Sequence, residues 1–309
     1  MNPERCGKQA DERPGHDSGA RSAAPRMTWQ TLLAASGLPR LEARALLEHA
    51  SGHGRSWLIA HGDEPAPAAV ADCFETLATR RRAGEPLAYL TGWRAFHGLR
   101  LRVSPAVLIP RADTEVLVEQ AVRRAPPGGR VLDLGTGSGA IAIAVAALRP
   151  DLSICATDLS AAALAVAQGN AAHCLPGAGA DRAGGPLRWL VGDWWAALPA
   201  GEPPFDLIVS NPPYIASDDP HLGQGDLRHE PEQALVSGSD GLTALKVIAA
   251  GAPAHLKPGG WLLVEHGHEQ GPAVRQLLGE AGLSGITTLP DAEHRDRITC
   301  GRRPPAPPV

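Results

Sequence analysis

A glycine-rich segment that follows an apolar run is the first candidate for chemistry in this sequence. The segment VLDLGTGSGAIAIA contains Gly135, Gly137 and Gly139, and glycines allow a backbone to approach a ligand closely. Asp158 stands at the predicted end of the next strand, where a carboxylate can accept hydrogen bonds from both hydroxyls of a ribose. The loop and Asp158 together indicate a nucleoside-containing cofactor. The loop alone fits a nicotinamide dinucleotide as well as S-adenosylmethionine.

The second candidate is the segment NPPY, residues 211–214, which directly follows the apolar run FDLIVS. In open α/β sheets, ligands bind at the carboxyl ends of central strands, and this segment has that position. Its two prolines stiffen the turn and lack N–H groups, so backbone carbonyls there are left to accept from a ligand. Asn211 adds a side-chain carbonyl, and Tyr214 adds an aromatic face. The set suits an –NH2 group held by two acceptors with its nitrogen directed at an electrophile, although a rigid surface turn is the structural alternative.

The elements around both segments alternate between strand and helix, which is typical of a doubly wound α/β fold. The predicted strands cover residues 130–134, 152–157, 187–191, 205–210, 260–265, 285–289 and 297–301. The predicted helices between and after them cover residues 114–124, 139–148, 160–173, 241–256 and 269–282. We therefore expect a Rossmann-like, seven-stranded, mostly parallel sheet that is closed by a late hairpin.

The sequence before the sheet changes character twice. Residues 1–26 are polar and rich in Arg, Gly, Asp and Pro, so we expect them to be disordered. Apolar residues at helical spacing predict a small helical domain over residues 27–90. Mixed apolar residues, glycine and proline predict a β-hairpin linker over residues 91–110. The α/β domain then covers residues 111–302, and the proline-rich residues 303–309 are a predicted flexible tail.

Composition and charge exclude several classes of protein. The formal net charge of -4 argues against a protein that holds nucleic acid by bulk positive charge. The 5 cysteines are scattered without a C-x-x-C pair, which argues against a zinc ribbon or a disulfide scaffold, and the histidines lack metal-ligand spacing. The longest apolar run is far shorter than the roughly 20 residues of a membrane span, and the polar start has no signal-peptide core. We expect a cytoplasmic protein without a metal site or a membrane segment.

Further segments extend the pattern along most of the chain. They read GEPLAYLTGWRAFHGLRLRVSPAVLIPRADTE, GDWWAAL, VSNPPYIASDDPHL, HEPEQAL, GLTAL and VEHGHEQG. With VLDLGTGSGAIAIA, they resemble the release factor glutamine methyltransferases, also called the HemK family, a branch of the class I S-adenosylmethionine-dependent methyltransferases. The loop and NPPY are shared by many methyltransferases, whereas YLTG followed by LIPRADTE is far more specific. Ala112 stands where the family favours proline, which loosens that turn slightly.

The resemblance implies transfer of a methyl group from S-adenosylmethionine to the glutamine amide of the GGQ loop in bacterial peptide chain release factors. The implied cofactor-binding residues are Gly135, Thr136, Gly137, Ser138 and Gly139 for the methionine part, Asp158 for the ribose, Asp193 and Trp194 for the adenine, and Asn211 beside the reacting group. The implied substrate-binding residues are Asn211, Pro212, Pro213, Tyr214, Pro110 and Arg111.

Asn211, Pro212 and Tyr214 are the implied catalytic residues, because the first two supply acceptors for the amide and the third forms a wall of its pocket. An in-line displacement of this kind needs alignment rather than a strong base, since the proton can leave to water afterwards. The expected partner is the release factor, and we expect the enzyme to act as a monomer.

Two other functions compete with this interpretation. An adenine or guanine methyltransferase also uses NPPY, but the negative net charge and the lack of a nucleic-acid-binding module argue against a nucleic-acid substrate. A binding-only protein would not need Asp158, Asn211 and Tyr214 together. Glu230 in the loop after NPPY is a candidate for substrate contact, and Glu265-His266 is either an acid–base pair or a structural hydrogen-bonding pair.

Overall fold

The computed structural model describes residues 27–175 and 187–306, and internal contacts divide the chain into two units after Gly92. The predicted disordered segment 1–26 lies outside the described residues, as do the last residues of the predicted tail, 307–309. This division lies two residues after residue 90, the predicted end of the helical domain. That the helical domain recognises the substrate stays a prediction.

The described part of the first unit is built mainly from helices. Its helices are α1 (Trp29–Ala35), α2 (Arg40–Ser51), α3 (Arg55–Ala60), α4 (Ala68–Arg82) and α5 (Leu87–Thr91). Thr28 caps α1, because its side chain accepts a hydrogen bond from the Thr31 N–H at 3.2 Å. Leu46, Leu47 and Phe74 are fully buried and form the centre of its core.

A short antiparallel hairpin begins the second unit, with strands β1 (Trp93–Phe96) and β2 (Leu99–Arg102). The two turn residues between them, His97 and Gly98, both have left-handed backbone angles, with φ 46° and 75°. Such a turn twists in the same sense as the strands it joins. Phe96 and Leu101 point into the main core, which fixes the hairpin to the sheet domain.

The main sheet has seven strands, and the predicted fold class is confirmed. Its strands are β3 (Arg130–Leu134), β4 (Ser153–Asp158), β5 (Leu187–Val191), β6 (Phe205–Ser210), β7 (Leu256–Glu265), β8 (Ser284–Pro290) and β9 (Asp296–Arg302). They lie in the order β5-β4-β3-β6-β7-β9-β8. Strands β3 to β7 are parallel, and β9 pairs antiparallel with both β7 and β8.

Helices cover both faces of this sheet, as expected for a doubly wound fold. They are α6 (Glu115–Arg124), α7 (Ala140–Leu148), α8 (Ala161–Cys174), α9 (Thr243–His255) and α10 (Gly271–Glu280). Alternate residues of the central strands enter two separate apolar cores, one beneath α6 and α7 and the other beneath α9 and α10. The sheet edge formed by the carboxyl ends of β3, β4 and β6 therefore carries both segments singled out by the sequence.

Strand β7 begins at Leu256, earlier than the predicted residue 260. Leu256 pairs with Phe205, and the chain then bulges outward through a proline and two glycines before regular pairing resumes. Gly259 takes a left-handed backbone in this bulge, with φ 81°. Arg303 closes the bulge, because its carbonyl accepts from the Gly259 N–H at 3.0 Å and its N–H donates to the Gly260 carbonyl at 2.8 Å. The apolar pattern did not reveal the first residues of β7, because the bulge interrupts the alternation of side chains along the strand.

No helix among residues 27–175 and 187–306 is long and apolar enough to cross a membrane.

Candidate active site

The glycine loop after β3 turns sharply into α7. Gly135, Gly137 and Gly139 all have left-handed backbones, with φ 71°, 55° and 81°. At Gly139, an added Cβ would lie 2.8 Å from Ile143 Cδ1 and 3.0 Å from Ala167 Cβ. Only glycine fits this position without displacing the packing beneath the loop.

Two adjoining cavities lie at this end of the sheet. The predicted site residues in the lining of the larger one are Pro110, Gly135, Thr136, Gly137, Ser138, Asp158, Asp193, Trp194, Asn211 and Pro213. The predicted site residues in the lining of the smaller one are Arg111, Asn211, Pro212, Pro213 and Tyr214. Gly139 lines neither cavity. Asn211 and Pro213 line both, so they separate the two spaces.

Asp158 ends β4 and holds the glycine loop. Its Oδ2 accepts from the Gly137 N–H at 2.8 Å, and its Oδ1 accepts from the Ser160 N–H at 2.8 Å. Burial raises the pKa of this carboxyl, and the two backbone donors oppose that shift. Because an ionised carboxylate has about four acceptor positions, Asp158 can accept two further hydrogen bonds from a ligand.

The loop after β5 contributes Asp193, which is exposed, and Trp194, which is half-buried. Trp194 has a left-handed backbone, with φ 41°, a costly conformation for a residue with a large side chain. Its ring lies against the glycine loop, since a Cβ added to Gly135 would be 3.4 Å from Trp194 Cζ3. The strained backbone therefore places an aromatic face at the wall of the larger cavity.

Asn211 follows β6 and is held by one hydrogen bond. Its Nδ2 donates to Thr114 Oγ1 at 3.1 Å. Its Oδ1 is buried and has no hydrogen-bond partner in the part of the chain that the structure describes. A buried amide oxygen without a partner is costly, so this atom is an acceptor ready for a ligand that enters from either cavity.

Comparison with known proteins identifies the family of this chain. The family model of the PrmC N-terminal domain matches residues 26–92, and that of the methyltransferase small domain matches residues 112–281. The release factor glutamine methyltransferase of Xylella fastidiosa (strain Temecula1) is 55% identical over 270 residues, which cover 86% of this chain and 94% of that protein. That of Bordetella pertussis is 54% identical over 274 residues, which cover 87% of this chain and 97% of that protein. The chain belongs to the release factor glutamine methyltransferase family.

A solved structure supports the fold independently. The methyltransferase from Pyrococcus furiosus superposes with a TM-score of 0.50 at 16% identity, covering 73% of this chain and 97% of that one. Family membership makes the chain a methyltransferase enzyme, and the resemblance seen in the sequence is confirmed.

Asp133 is a buried acidic residue beneath the glycine loop that the sequence analysis missed. It is fully buried in β3, directly beneath the glycine loop. Its Oδ2 accepts from Thr136 Oγ1 at 2.6 Å and from the Ala142 N–H at 3.2 Å, whereas its Oδ1 has no partner among the described residues. Burial raises its pKa to about 7. The sequence did carry a sign of this residue, since an acidic side chain interrupts the otherwise apolar strand VLDL.

Glu230, which the sequence left open as a candidate for substrate contact, lies inside the fold. Its side chain is completely buried, and it accepts hydrogen bonds from the Ile109 N–H at 2.9 Å and from Arg111 Nη2. These bonds join the segment containing Pro110 and Arg111 to the loop after NPPY. Glu230 therefore shapes the smaller cavity by connecting two of its walls.

His266 takes the structural alternative rather than the acid–base one. Its Nδ1 lies 2.8 Å from the Gly267 carbonyl, and its Nε2 lies 2.8 Å from Thr299 Oγ1, so both ring nitrogens are engaged within the fold. Burial lowers its pKa. Its neighbour Glu265 is different, because it faces Tyr214, whose hydroxyl donates to Glu265 Oε1 at 3.4 Å.

Proposed function

We propose that this enzyme transfers the methyl group of S-adenosylmethionine to the side-chain amide nitrogen of the glutamine in the GGQ loop of bacterial peptide chain release factors. The observation that carries the proposal is the buried, unpartnered Oδ1 of Asn211, which lies between the two cavities. The names of the relatives supply the class of substrate. Since release factors act in the cytoplasm, the enzyme would act there too.

The larger cavity fits S-adenosylmethionine. Asp158 has acceptor positions for the two ribose hydroxyls, and the ring of Trp194 offers a face for the adenine. Asp193 is exposed at the same wall, where it can accept from the adenine amine. Asp133 Oδ1 is an unpartnered acceptor beneath the glycine loop for the ammonium group of the methionine part. When bound, the cofactor supplies an electrophilic methyl group.

Trp195 fixes the loop that carries Asp193 and Trp194. Its Nε1 donates to the Val247 carbonyl at 2.9 Å, and its ring stacks on His255 at 4.7 Å. The indole of Trp195 packs directly against the backbone of α9 at Gly251, because glycine has no side chain to separate them. The position of the adenine wall therefore depends on a glycine outside the cavity.

Replacing Gly251 by alanine is expected to weaken S-adenosylmethionine binding about tenfold, because overpacking of this kind costs about 1–3 kcal/mol. The added Cβ would lie 2.1 Å from Trp195 Nε1 and would displace the indole with its loop. Calorimetric titration measures the effect. Gly169→Ala is the matched control, since Gly169 is also within a helix and its Cβ would meet nothing within 4 Å. Equal affinities for both variants would refute the anchoring role of Trp195.

Asn211 and Pro212 would align the substrate amide. An amide nitrogen is a weak nucleophile, because its lone pair is delocalised into the carbonyl. Two acceptors, Asn211 Oδ1 and the Pro212 carbonyl, would hold the two N–H groups and direct the nitrogen into the larger cavity. As the nitrogen gains positive charge, its N–H groups become stronger donors and these hydrogen bonds strengthen. The methylated, positively charged amide is strongly acidic, so its proton leaves to water without a base.

The smaller cavity would take the glutamine side chain. Tyr214 and Pro213 form its walls with Arg111, and Glu230 holds Arg111 in place. A pocket of this size does not distinguish one glutamine from another. We assign selection of the release factor to the helical domain, residues 27–90, and to the hairpin, residues 91–110.

A transfer assay with radiolabelled S-adenosylmethionine tests the class of substrate. The purified enzyme is incubated separately with a release factor, with tRNA, with rRNA and with DNA. We expect label in the release factor and none in a release factor whose GGQ glutamine is replaced by alanine. Label in nucleic acid with none in the release factor would overturn the proposal and favour a nucleobase amine as the substrate.

A further inference from the structure

The short 3-10 turn Ala112–Thr114 lies between residues of both cavities. Arg111, just before the turn, lines the smaller cavity, and Thr114, at its end, lines the larger one. Thr114 Oγ1 also accepts from Asn211 Nδ2 at 3.1 Å. Of the three residues of the turn, Thr114 alone is buried. A segment with so few buried contacts keeps its place only through ties to its surroundings.

Asp113, in the middle of this turn, supplies such a tie to a strand that is distant in sequence. Its Oδ2 lies 3.4 Å from Nη2 of Arg297, the second residue of β9. The side chain of Arg297 is 10% exposed and that of Asp113 is 41% exposed, so solvent reaches the ion pair from the side of the turn. None of the described residues that line the two cavities belongs to β9. The pair therefore joins the turn to a part of the sheet outside the site.

Arg297 is held firmly by its other contacts. Its Nε and Nη2 donate to Asp291 Oδ2 at 3.2 Å and 3.1 Å, and its Nη1 donates to the His266 carbonyl at 3.4 Å. The side chain of Asp291 is 1% exposed, and its Oδ1 accepts from the N–H groups of Glu293 and Arg295 at 2.9 Å and 3.0 Å. The guanidinium is thus a cation in a fixed position, against which the turn can be placed.

We propose that Asp113 and Arg297 are positioning residues, whose ion pair keeps the turn Ala112–Thr114 where Thr114 meets Asn211. The inference rests on the proposed function, because the turn serves the alignment of the substrate amide by Asn211. Neither Asp113 nor Arg297 touches the cofactor, the substrate or the reacting atoms. Both act through the position of the turn.

The hydrogen bond between Asn211 and Thr114 leaves little room for movement of the turn. Donor–acceptor distances of N–H···O hydrogen bonds extend to about 3.2 Å, and this one already measures 3.1 Å. A small outward shift of the turn would break the bond and free the Asn211 amide to rotate. A misplacement of about 1 Å that arises outside the reacting groups can lower a rate about 100-fold.

Replacing Asp113 by alanine removes the ion pair and leaves Arg297 with its other partners. The variant is expected to lower kcat about fivefold to 20-fold, less than the effect of a full 1 Å misplacement, because Thr114 stays buried and limits the shift. The Kd for S-adenosylmethionine should stay near the wild-type value, since the contact between Asp158 and the glycine loop is independent of the turn. Single-turnover transfer and calorimetric titration measure the two quantities.

A second variant separates the position of the turn from the charge of Asp113. Arg111 is extended, with φ -98° and ψ 146°, the conformation that a residue before proline prefers. Ala112 begins the turn, where proline is tolerated because the N–H needs no partner within the turn. Adding Ala112→Pro to Asp113→Ala should raise kcat about twofold to fivefold, since a proline that fits its site restricts the chain. Proline restores no charge, so an electrostatic role of Asp113 would not be rescued.

Asp296→Ala is the matched control. Asp296 is the neighbour of Arg297 in β9, its side chain is similarly exposed at 46%, and it pairs with Arg275 of α10 at 4.0 Å. Its loss removes a negative charge beside Arg297 without releasing the turn, so kcat should stay at the wild-type value. If Asp113→Ala does not fold, Asp113→Asn takes its place in the same comparisons.

Two outcomes would overturn the inference. One is a kcat of Asp113→Ala equal to that of Asp296→Ala, and the other is a double variant with Ala112→Pro that is no faster than Asp113→Ala. Failure of the proposed function is distinguishable, because it would show as wild-type enzyme that does not methylate the release factor. An active wild type with an unchanged Asp113→Ala variant would count only against the positioning role.

Discussion

Replacing Asn211 by alanine is expected to lower the rate of methyl transfer about 100-fold to 1000-fold, which is the usual effect of removing one group that stabilises charge in a transition state. Among the described residues that line both cavities, Asn211 supplies the one side-chain acceptor, and its Oδ1 is buried without a partner. Single-turnover transfer to the release factor, measured beside calorimetric titration of the cofactor, separates chemistry from binding. Cofactor affinity should stay near the wild-type value.

Asn170→Ala is a useful contrast for that experiment. Asn170 is also buried, but its side chain accepts from the Arg102 N–H at 2.6 Å and donates to the carbonyls of Arg102 at 3.0 Å and Ser138 at 2.9 Å. It binds the hairpin to the glycine loop, so its loss should lower the unfolding temperature more than the transfer rate. Near-normal turnover by Asn211→Ala would refute the assignment of Asn211 as the group that aligns the amide.

The second large effect is expected for Asp158→Ala, which should weaken S-adenosylmethionine binding at least about 100-fold, because each hydrogen bond to a charged group contributes about 1.5–3 kcal/mol. The variant would lose the acceptors for the ribose hydroxyls. It would also release the N–H groups of Gly137 and Ser160, so the glycine loop would lose its fixed shape. Titration calorimetry measures the loss, with thermal unfolding as a check on the fold.

Asp151→Ala provides the matched control for Asp158→Ala. Asp151 is an aspartate that likewise accepts from a backbone N–H, that of Gly128 at 2.9 Å, and it pairs with Arg149. It lies just before β4 begins, at the opposite end of that strand from Asp158. Its loss should leave cofactor affinity unchanged. If Asp158→Ala bound the cofactor as tightly as Asp151→Ala, the cofactor would not lie in the larger cavity in the proposed orientation.

The sheet and the residues that line its carboxyl edge were predictable from the sequence for a physical reason. Parallel strands are buried on both faces and read as continuous apolar runs, so VLDL and FDLIVS stand out from their surroundings. The residue after each such strand must lie at one edge of the sheet. Asp158 and Asn211 follow from this rule without any knowledge of the contacts between them.

The side chains behind the site were not predictable in this way. Thr114 and Asn211 are far apart in sequence and meet only because a short 3-10 turn packs against the segment that follows β6. No periodicity marks a turn of three residues. The burial of Glu230 could not be predicted from the sequence either, because its partners Ile109 and Arg111 lie on a segment without regular secondary structure.

Local chain geometry explains the remaining differences between prediction and structure. The helices α3 and α5 have only 6 and 5 residues, too few for an apolar repeat to be recognised. The early start of β7 was hidden by the bulge around Gly259. In both places, tertiary contacts rather than local pattern determine the conformation.

The central claim is that one glutamine amide receives the methyl group. The most direct measurement is tandem mass spectrometry of a purified release factor after incubation with the enzyme and S-adenosylmethionine. The account predicts a mass increase of one methyl group on the side chain of the GGQ glutamine, which Asn211→Ala does not produce above the uncatalysed background. A methyl group on any other residue with an unmodified GGQ glutamine would contradict it.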